Sequence, residues 1–346
     1  MRKLRCYVYQ EGRDFILPDL YLETSRSLSV PAEGVLWRED GAAVPHTDFF
    51  TLCPAEEAEL FFFPYDLGPI LNILGADGTT ALLKALPYLA GRERRHVFTD
   101  RGSFVSSVRL PVCLLKVSLT SAVCSPHPSI PFLYRDKETD GPDYMVLWLP
   151  VSAHVQADRP SFDWGRIRYD CSFVGAYSHV WRNAACRSME LCPGLRFYNG
   201  GFDDIILEGN IFSTRERTPE EKEIRRARFR KISKESLTIL CPPGIGPQSF
   251  RMYEAMYYGR IPVLISGLIL YPLQHLICFR DFCLIIDEGD VLRSGSILRD
   301  FLARNGADAL REKCILARKT YLKYFTPENR PRRVAGMLTE YLEKVV

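Results

Sequence analysis

Short apolar runs alternate with longer amphipathic stretches along the whole chain, the pattern of a layered α/β protein built on parallel strands. In the first half, residues 4–9, 60–63, 96–99 and 144–149 predict strands, while helical spacing covers residues 14–28 and 79–90. In the second half, strands are predicted over 171–174, 195–198, 237–241, 262–265 and 283–286. Helices are predicted between them over 181–190, 219–233 and 249–258. Beyond the last strand the pattern is helical, punctuated at Gly306 and Thr326-Pro327, and ends in an amphipathic segment over 330–346. Residues 151–168 are polar, contain Pro160 and Gly165, and fit neither period. They read as a linker between a first domain (1–155) and a second (165–325), with 326–346 as a C-terminal helix expected to pack back on the first.

The length of 346 residues suits two domains of ordinary size. Hydrophobic residues at 47% and charged residues at 25% exclude long disorder, collagen-like repetition and a fibrous coiled coil. Lys plus Arg number 45 against 42 Asp plus Glu, a net +3 that argues for no nucleic-acid or membrane-surface partner. Any charge argument is therefore local. The basic run 215–234 has nine basic and four acidic residues, and its interleaved glutamates read as a solvated helix face without a catalytic role. Residues 1–10 lack an apolar run of signal-peptide length, and no stretch approaches the roughly 20 apolar residues of a spanning helix. Secretion and membrane insertion are not expected, and a cytoplasmic location is. Eleven cysteines are scattered without a CxxC pair, which points to free thiols in a reducing compartment rather than zinc or disulfides.

The segment 236–266 reads strand, loop, helix, tight turn, strand. Its loop, 242–248, holds two glycines and three prolines, so the backbone can approach a ligand closely. Ser249 suits the helix N-cap and Gly259 the position just past the helix end. Arg251, Glu254 and Tyr258 fall on one helix face, leaving Phe250, Met252 and Met256 for the core. A helix N-terminus offers backbone N–H groups and partial positive charge, and Arg251 in its first turn adds a forked donor matched to phosphate. Glu254, one turn later, could accept from ribose hydroxyls; the plainer alternative is an i, i+3 ion pair on a surface helix. Gly175, at the end of the strand 171–174, precedes a helix with Arg182 in its first turn, a second anion site of the same kind. Asp203 and Asp204 read as a turn, and no metal is assigned.

In the first half, strand ends reach Glu11, Asp66 and Asp100, and acids beyond the carboxyl ends of parallel strands can share a cleft, one of them as general base. His96, inside its strand, reads as a satisfied core histidine; His154 and His179 are minor candidates. The string GIGPQS at 244–249 falls short of the dinucleotide fingerprint, and GKS/T, GxSxG and HExxH are all missing.

Residues 236–266 resemble the exostosin-like glycosyltransferases. The family's pattern S-x-R-x-x-E-A-x-x-x-G-x-I-P-V is mirrored by Ser249, Arg251, Glu254, Ala255, Gly259, Ile261, Pro262 and Val263. Echoes follow in order at CYVY, AELFFFPYD (58–66), HVFTDRG (96–102), GPDYMVLWLP (141–150) and SFVG before Arg182. The resemblance implies two facing Rossmann-like domains (GT-B) and inverting transfer of a sugar from a nucleotide donor, commonly UDP-linked, to a glycan, without an essential metal or other cofactor. It carries Arg251 and Glu254 over as donor contacts with Gly175, Arg182, Gly244 and Ser249 around them, and places Asp66 and Asp100 in the first-domain cleft, Asp66 being the preferred base. The chain departs from the pattern at Gly267, where the family has an acid, and shows no Golgi anchor like that of many eukaryotic relatives. A non-catalytic glycan-binding or partner subunit retaining the fold is the alternative.

Overall fold

The computed structural model describes residues 2–10, 13–14, 16, 36–39, 42–45, 48–100, 108–116, 124–137, 141–148, 151, 153–160, 162–177, 180–202, 218–244 and 248–346. The chain forms two compact α/β units, one comprising Met1–Pro150, Leu270–Leu276 and Thr326–Val346, the other Val151–Ile269 and Ile277–Phe325. Each is built on its own sheet of largely parallel strands. The expected helix over 14–28 lies almost wholly outside the described residues, as do Glu11, His179, Asp203 and Asp204.

In the first unit the strands are β1 (Leu4–Val8), a hairpin of β2 (Leu36–Glu39) and β3 (Ala42–Pro45), β4 (Phe50–Leu52), β5 (Leu60–Asp66), β6 (His96–Asp100), β7 (Cys113–Lys116), β8 (Cys124–Pro126), β9 (Leu133–Asp136) and β10 (Asp143–Val146). The main sheet has the order β4-β1-β5-β6-β7-β10-β9-β8, with β9 and β8 antiparallel at one edge. Sequence reading found β1, β5, β6 and β10 because their apolar runs, such as Leu60 to Phe63, are buried on both faces. It missed β4 and β8, each with two exposed residues, and also β2, β3, β9 and the fully buried β7. The expected helix over 79–90 is instead α1 (Leu67–Lys84), which begins earlier and is interrupted at Gly75 with φ +65°. Gly68, Pro69, Gly75 and Gly78 hide its helical spacing from a propensity reading. The helix Asn329–Val345 buries Val334, Ala335, Leu338 and Tyr341, and Tyr341 donates to Asp143 on β10 at 3.4 Å.

In the second unit, β11 (Tyr169–Ala176), β12 (Phe197–Phe202), β13 (Ser236–Cys241), β14 (Ile261–Ile265) and β15 (Leu284–Ile286) form an all-parallel sheet of order β12-β11-β13-β14-β15. Numbered within the unit this is 2-1-3-4-5, the flavodoxin-like doubly wound order. The helices α2 (Val180–Glu190), α3 (Pro219–Glu235), α4 (Phe250–Tyr257), α5 (Ser294–Arg304) and α6 (Ala307–Thr320) cover it. A capping box starts α3: Thr218 Oγ1 accepts from the Glu221 N–H while the Glu221 carboxylate accepts from the Thr218 N–H, both at 3.2 Å. Gly259 follows α4 at φ +61°, as its place past the helix end requires.

Several expectations are corrected. β12 begins two residues later than the expected strand and runs on to Phe202. Residues 151–168 belong to the second unit and include the helical turns Ala153–Gln156 and Trp164–Arg166 rather than a free linker. Leu270–Leu276, expected with the second domain, is part of the first unit. Phe250, expected in the core, is 54% exposed.

Candidate functional site

In a 2-1-3-4-5 sheet the connections leave β11 and β13 in opposite directions, which opens a crevice beyond their carboxyl ends. There β11 ends in Gly175-Ala176, and β13 runs out through Cys241 into Pro242-Pro243-Gly244. Parallel pairing of β11 with β13 sets these two ends side by side.

Arg182, third residue of α2, reaches across the crevice. Its Nε donates to the Pro243 carbonyl at 2.7 Å and its Nη1 to the Ala176 carbonyl at 2.8 Å. Two of its five N–H bonds thus fix the guanidinium plane, leaving the Nη2 edge beside Gly244. A Cβ on Gly244 would collide with that Nη2, so glycine is the residue that admits the arginine. Arg251, in the first turn of α4, arrives from the other side: a Cβ on Gly175 would lie 3.7 Å from its Nη2 and 3.2 Å from the Phe173 ring. Burial, followed by the nearby Arg251 charge, lowers Arg182 to about 10, still far above neutral pH, so Arg182 remains a cation.

Glu254 is ion-paired with Arg251. The i, i+3 pair of the plainer alternative is therefore present, but Glu254 is only 4% exposed, so the pair belongs to the crevice wall rather than to an open surface helix. Among the described residues, one carboxylate stands with two guanidiniums at the crevice, a positive balance. Phe229 on α3 lies beneath Arg251, the guanidinium carbon 4.2 Å from the ring centroid, a cation–π contact that orients the fork. The His154 ring meets Phe229 edge-on at 6.2 Å. Burial lowers the His154 pKa, with Glu254 pulling the other way and Arg226, Arg251 and Arg230 adding to the fall. Ser249 is the N-cap residue of α4 but its hydroxyl caps nothing. That Oγ is buried, with no hydrogen-bond partner among the described residues. An anion at the helix N-terminus could satisfy it.

Gly175, Arg182, Gly244, Ser249, Arg251 and Glu254, all singled out from sequence, therefore gather around one crevice or its walls. Phe229 was missed because it sits inside the basic run of α3, where its spacing reads as an ordinary core anchor. Tyr258, expected on the Arg251 face, is fully buried and donates to Asp158 at 2.9 Å.

In the first unit, Asp66 and Asp100 close the neighbouring strands β5 and β6, where Asp66 pairs in register with Thr99. Asp66 is partly exposed and caps α1, accepting from the Gly68 N–H at 3.0 Å. Asp100 is fully buried and bonded to the equally buried Lys116 at 2.7 Å. His96 is a satisfied core histidine as expected: Nδ1 lies 2.9 Å from the Arg92 carbonyl, Nε2 2.7 Å from the Tyr9 hydroxyl, and the ring stacks on Phe61 at 4.7 Å. Among the described residues no three His, Cys, Asp or Glu side chains gather as a metal site would need, and no helix is long and apolar enough to cross a membrane.

No family model matches the chain. Over 91 residues, 26% of its length, it is 35% identical to the probable glucuronosyltransferase Os02g0520750 of Oryza sativa subsp. japonica. The match spans a fifth (20%) of that protein. Among solved structures the chain is similar to HepE of Anabaena in complex with UDP and glucose, with a TM-score of 0.45 and 10% identity over 98% of this chain and 100% of the other. It is also similar to a mutant of S. aureus TarM in complex with UDP, with a TM-score of 0.41 and 8% identity over 82% of this chain and 55% of that one.

Proposed function

We propose that this chain is a glycosyltransferase that moves a sugar from a nucleoside diphosphate donor, preferentially a UDP-sugar, to a hydroxyl of a glycan. The observation that carries the reading is the convergence of Arg182 and Arg251 at the switch point of the second sheet. Two fixed guanidiniums, glycine backbone and the N-terminus of α4 match the charge and size of a diphosphate. The sequence similarity to a plant glucuronosyltransferase supports transfer over simple nucleotide binding.

In this proposal the acceptor oxygen forms a bond to the anomeric carbon as the bond from that carbon to the diphosphate oxygen breaks, with inversion and without a covalent intermediate. The acceptor proton passes to Asp66. Negative charge developing on the leaving diphosphate is met by Arg182, Arg251 and the α4 N-terminus, donors already oriented before reaction. Asp66 is preferred to Asp100 because it is partly exposed, whereas Asp100 is held in a fully buried ion pair. Glu254 serves the donor site by orienting Arg251 and, where the nucleotide reaches it, by accepting from ribose hydroxyls. No metal is assigned, since the arginines supply the positive charge that the leaving group needs.

Release of UDP from UDP-sugars, followed in excess EDTA and without acceptor, tests the proposal. Slow release that disappears in Arg251→Ala is expected. UDP binding without any release favours the non-catalytic alternative, and restoration of activity only by manganese or magnesium overturns the metal-free mechanism.

A further inference from the structure

We propose that a groove in the first unit, where the Leu270–Leu276 segment meets the C-terminal helix, binds a single-chain anionic amphiphile: an alkyl or isoprenoid chain ending in a phosphate or carboxylate. The groove has a volume of about 560 Å³, within the range of small-molecule sites. Its floor is apolar, formed by Phe132, Leu273 and Met337, each under 8% exposed.

The Leu270–Leu276 segment is held in an unusual shape. Leu273 has φ +57°, a left-handed conformation that a Cβ disfavours. The turn is pinned by the Leu276 N–H donating to the Leu273 carbonyl at 2.8 Å and by Gln274 Nε2 donating to the Tyr134 hydroxyl at 2.6 Å. Strain held in place by surrounding bonds points to a use for the conformation. Here it lays Leu273 into the floor and sets His275 at the side, its ring 5.7 Å from that of Phe132. His275 Nδ1 is buried and has no partner among the described residues, so the groove asks for a polar group at that point.

The helix opposite supplies room and charge. Gly336 lies on the groove wall one turn from Arg332 and Glu340, and a Cβ there would meet nothing within 4 Å. Glycine in a helix interior lowers helix stability, and at this position it leaves a notch. Glu340 is bonded to Lys344 at 2.5 Å, and Arg332 brings a guanidinium to the same side of the groove. A saccharide would bring hydroxyls that the apolar floor cannot satisfy, whereas a chain with one anionic end places its polar demand beside His275 and Arg332 and its carbons on the floor.

Calorimetric titration with dodecyl phosphate and with dodecanoate, both below their critical micelle concentrations, tests the proposal. One-to-one binding of at least one is expected, with at least tenfold weaker binding of dodecyl maltoside, inorganic phosphate and tri-galacturonate. A Cβ at Gly336 meets nothing within 4 Å and a helix interior favours leucine over glycine, so Gly336→Leu should keep or raise Tm while its longer side chain occupies the notch and weakens the amphiphile at least tenfold. Leu276→Asp, at a half-exposed wall residue, should do the same by placing charge against the chain. Arg332→Ala should reduce the preference over dodecyl maltoside at least tenfold. Unchanged binding in both Gly336→Leu and Leu276→Asp overturns the proposal, as does binding of many chains per protein or stronger binding of tri-galacturonate. The inference does not rest on the nucleotide-sugar reading, because its readout is binding in the absence of any donor.

Discussion

Arg182 donates from Nε to the Pro243 carbonyl at 2.7 Å, which ties the helix after β11 to the loop after β13 across the switch point. Gly244 is the residue that makes room for this bond. In Gly244→Ala the new methyl group displaces the guanidinium rather than the backbone. Loss of a charged hydrogen-bond donor to the diphosphate costs roughly 1.5 to 3 kcal/mol, so UDP affinity is expected to fall about tenfold to a hundredfold with Tm little changed. Arg182→Lys should give a similar loss, since an ammonium cannot hold both carbonyls and present a second edge. UDP titration into both variants is the check; wild-type affinity in either removes Arg182 from the donor site.

Glu254 gives a sharper test now that its carboxylate is known to be buried. A surface pair would contribute little to stability. Removing this carboxylate instead leaves Arg251 without its ion-pair partner in the crevice wall, so Glu254→Ala should cost about 1 to 3 kcal/mol of folding stability as well as UDP affinity. Glu254→Gln, which keeps the shape and one acceptor, should recover most of the stability but not the affinity. Chemical denaturation and UDP titration on the same samples separate the two effects, and a variant that is destabilised but binds UDP normally confines Glu254 to a structural role.

The crevice at the ends of β11 and β13 was legible in the sequence because its parts are consecutive. Strand, glycine loop, N-cap and Arg251 lie within one short stretch, and the apolar runs of β11, β13 and β14 are those of parallel strands covered on both faces. Arg182 was found by the same local logic after β11. What escaped is what depends on long-range pairing: that Arg182 would bond to Pro243, 61 residues away, and that Phe229 would emerge from a charged helix to lie under Arg251. The buried state of Glu254 escaped for a related reason, since i, i+3 spacing fixes a helix face but not what covers it. In the first unit, α1 was misplaced because its glycines and proline outweighed tertiary burial of Leu67, Ile70 and Leu83 in any local reading.

Asp66 and Asp100 are expected to differ in kind when changed to asparagine. Asparagine caps a helix about as well as aspartate, so Asp66→Asn keeps α1 in place while removing the proton acceptor. Its expected phenotype is lost sugar transfer with unchanged Tm and UDP affinity. Asp100→Asn removes the charge that pairs with the buried Lys116 ammonium, and breaking a buried pair from one side costs about 3 to 5 kcal/mol. That variant should be clearly destabilised. Transfer rates compared at a temperature where both are folded decide the base: activity retained in Asp66→Asn excludes it.

His96 gives a pH dependence that owes nothing to the active site. A carbonyl can only accept, so Nδ1 carries the proton donated to Arg92, and Nε2 is the acceptor for the Tyr9 hydroxyl. This arrangement requires the neutral ring, and burial lowers the His96 pKa from 6.5 to about 4. In the unfolded chain the imidazole takes up its proton near its ordinary value, while the folded protein resists until about 4. Between those values the unfolded state binds more protons, so stability falls as the pH is lowered. At 1.36 kcal/mol per unit, the difference of 2.5 units amounts to about 3 kcal/mol, present above pH 6.5 and lost on descent to pH 4. Other groups titrate in the same range, so the readout is a difference between proteins. Urea denaturation of wild type and His96→Gln across this window should show a variant that is less stable at pH 7 and loses less on acidification, the two curves converging towards pH 4. Parallel curves would mean that the ring takes up its proton equally in the folded and unfolded states, which the Arg92–His96–Tyr9 chain of hydrogen bonds does not allow.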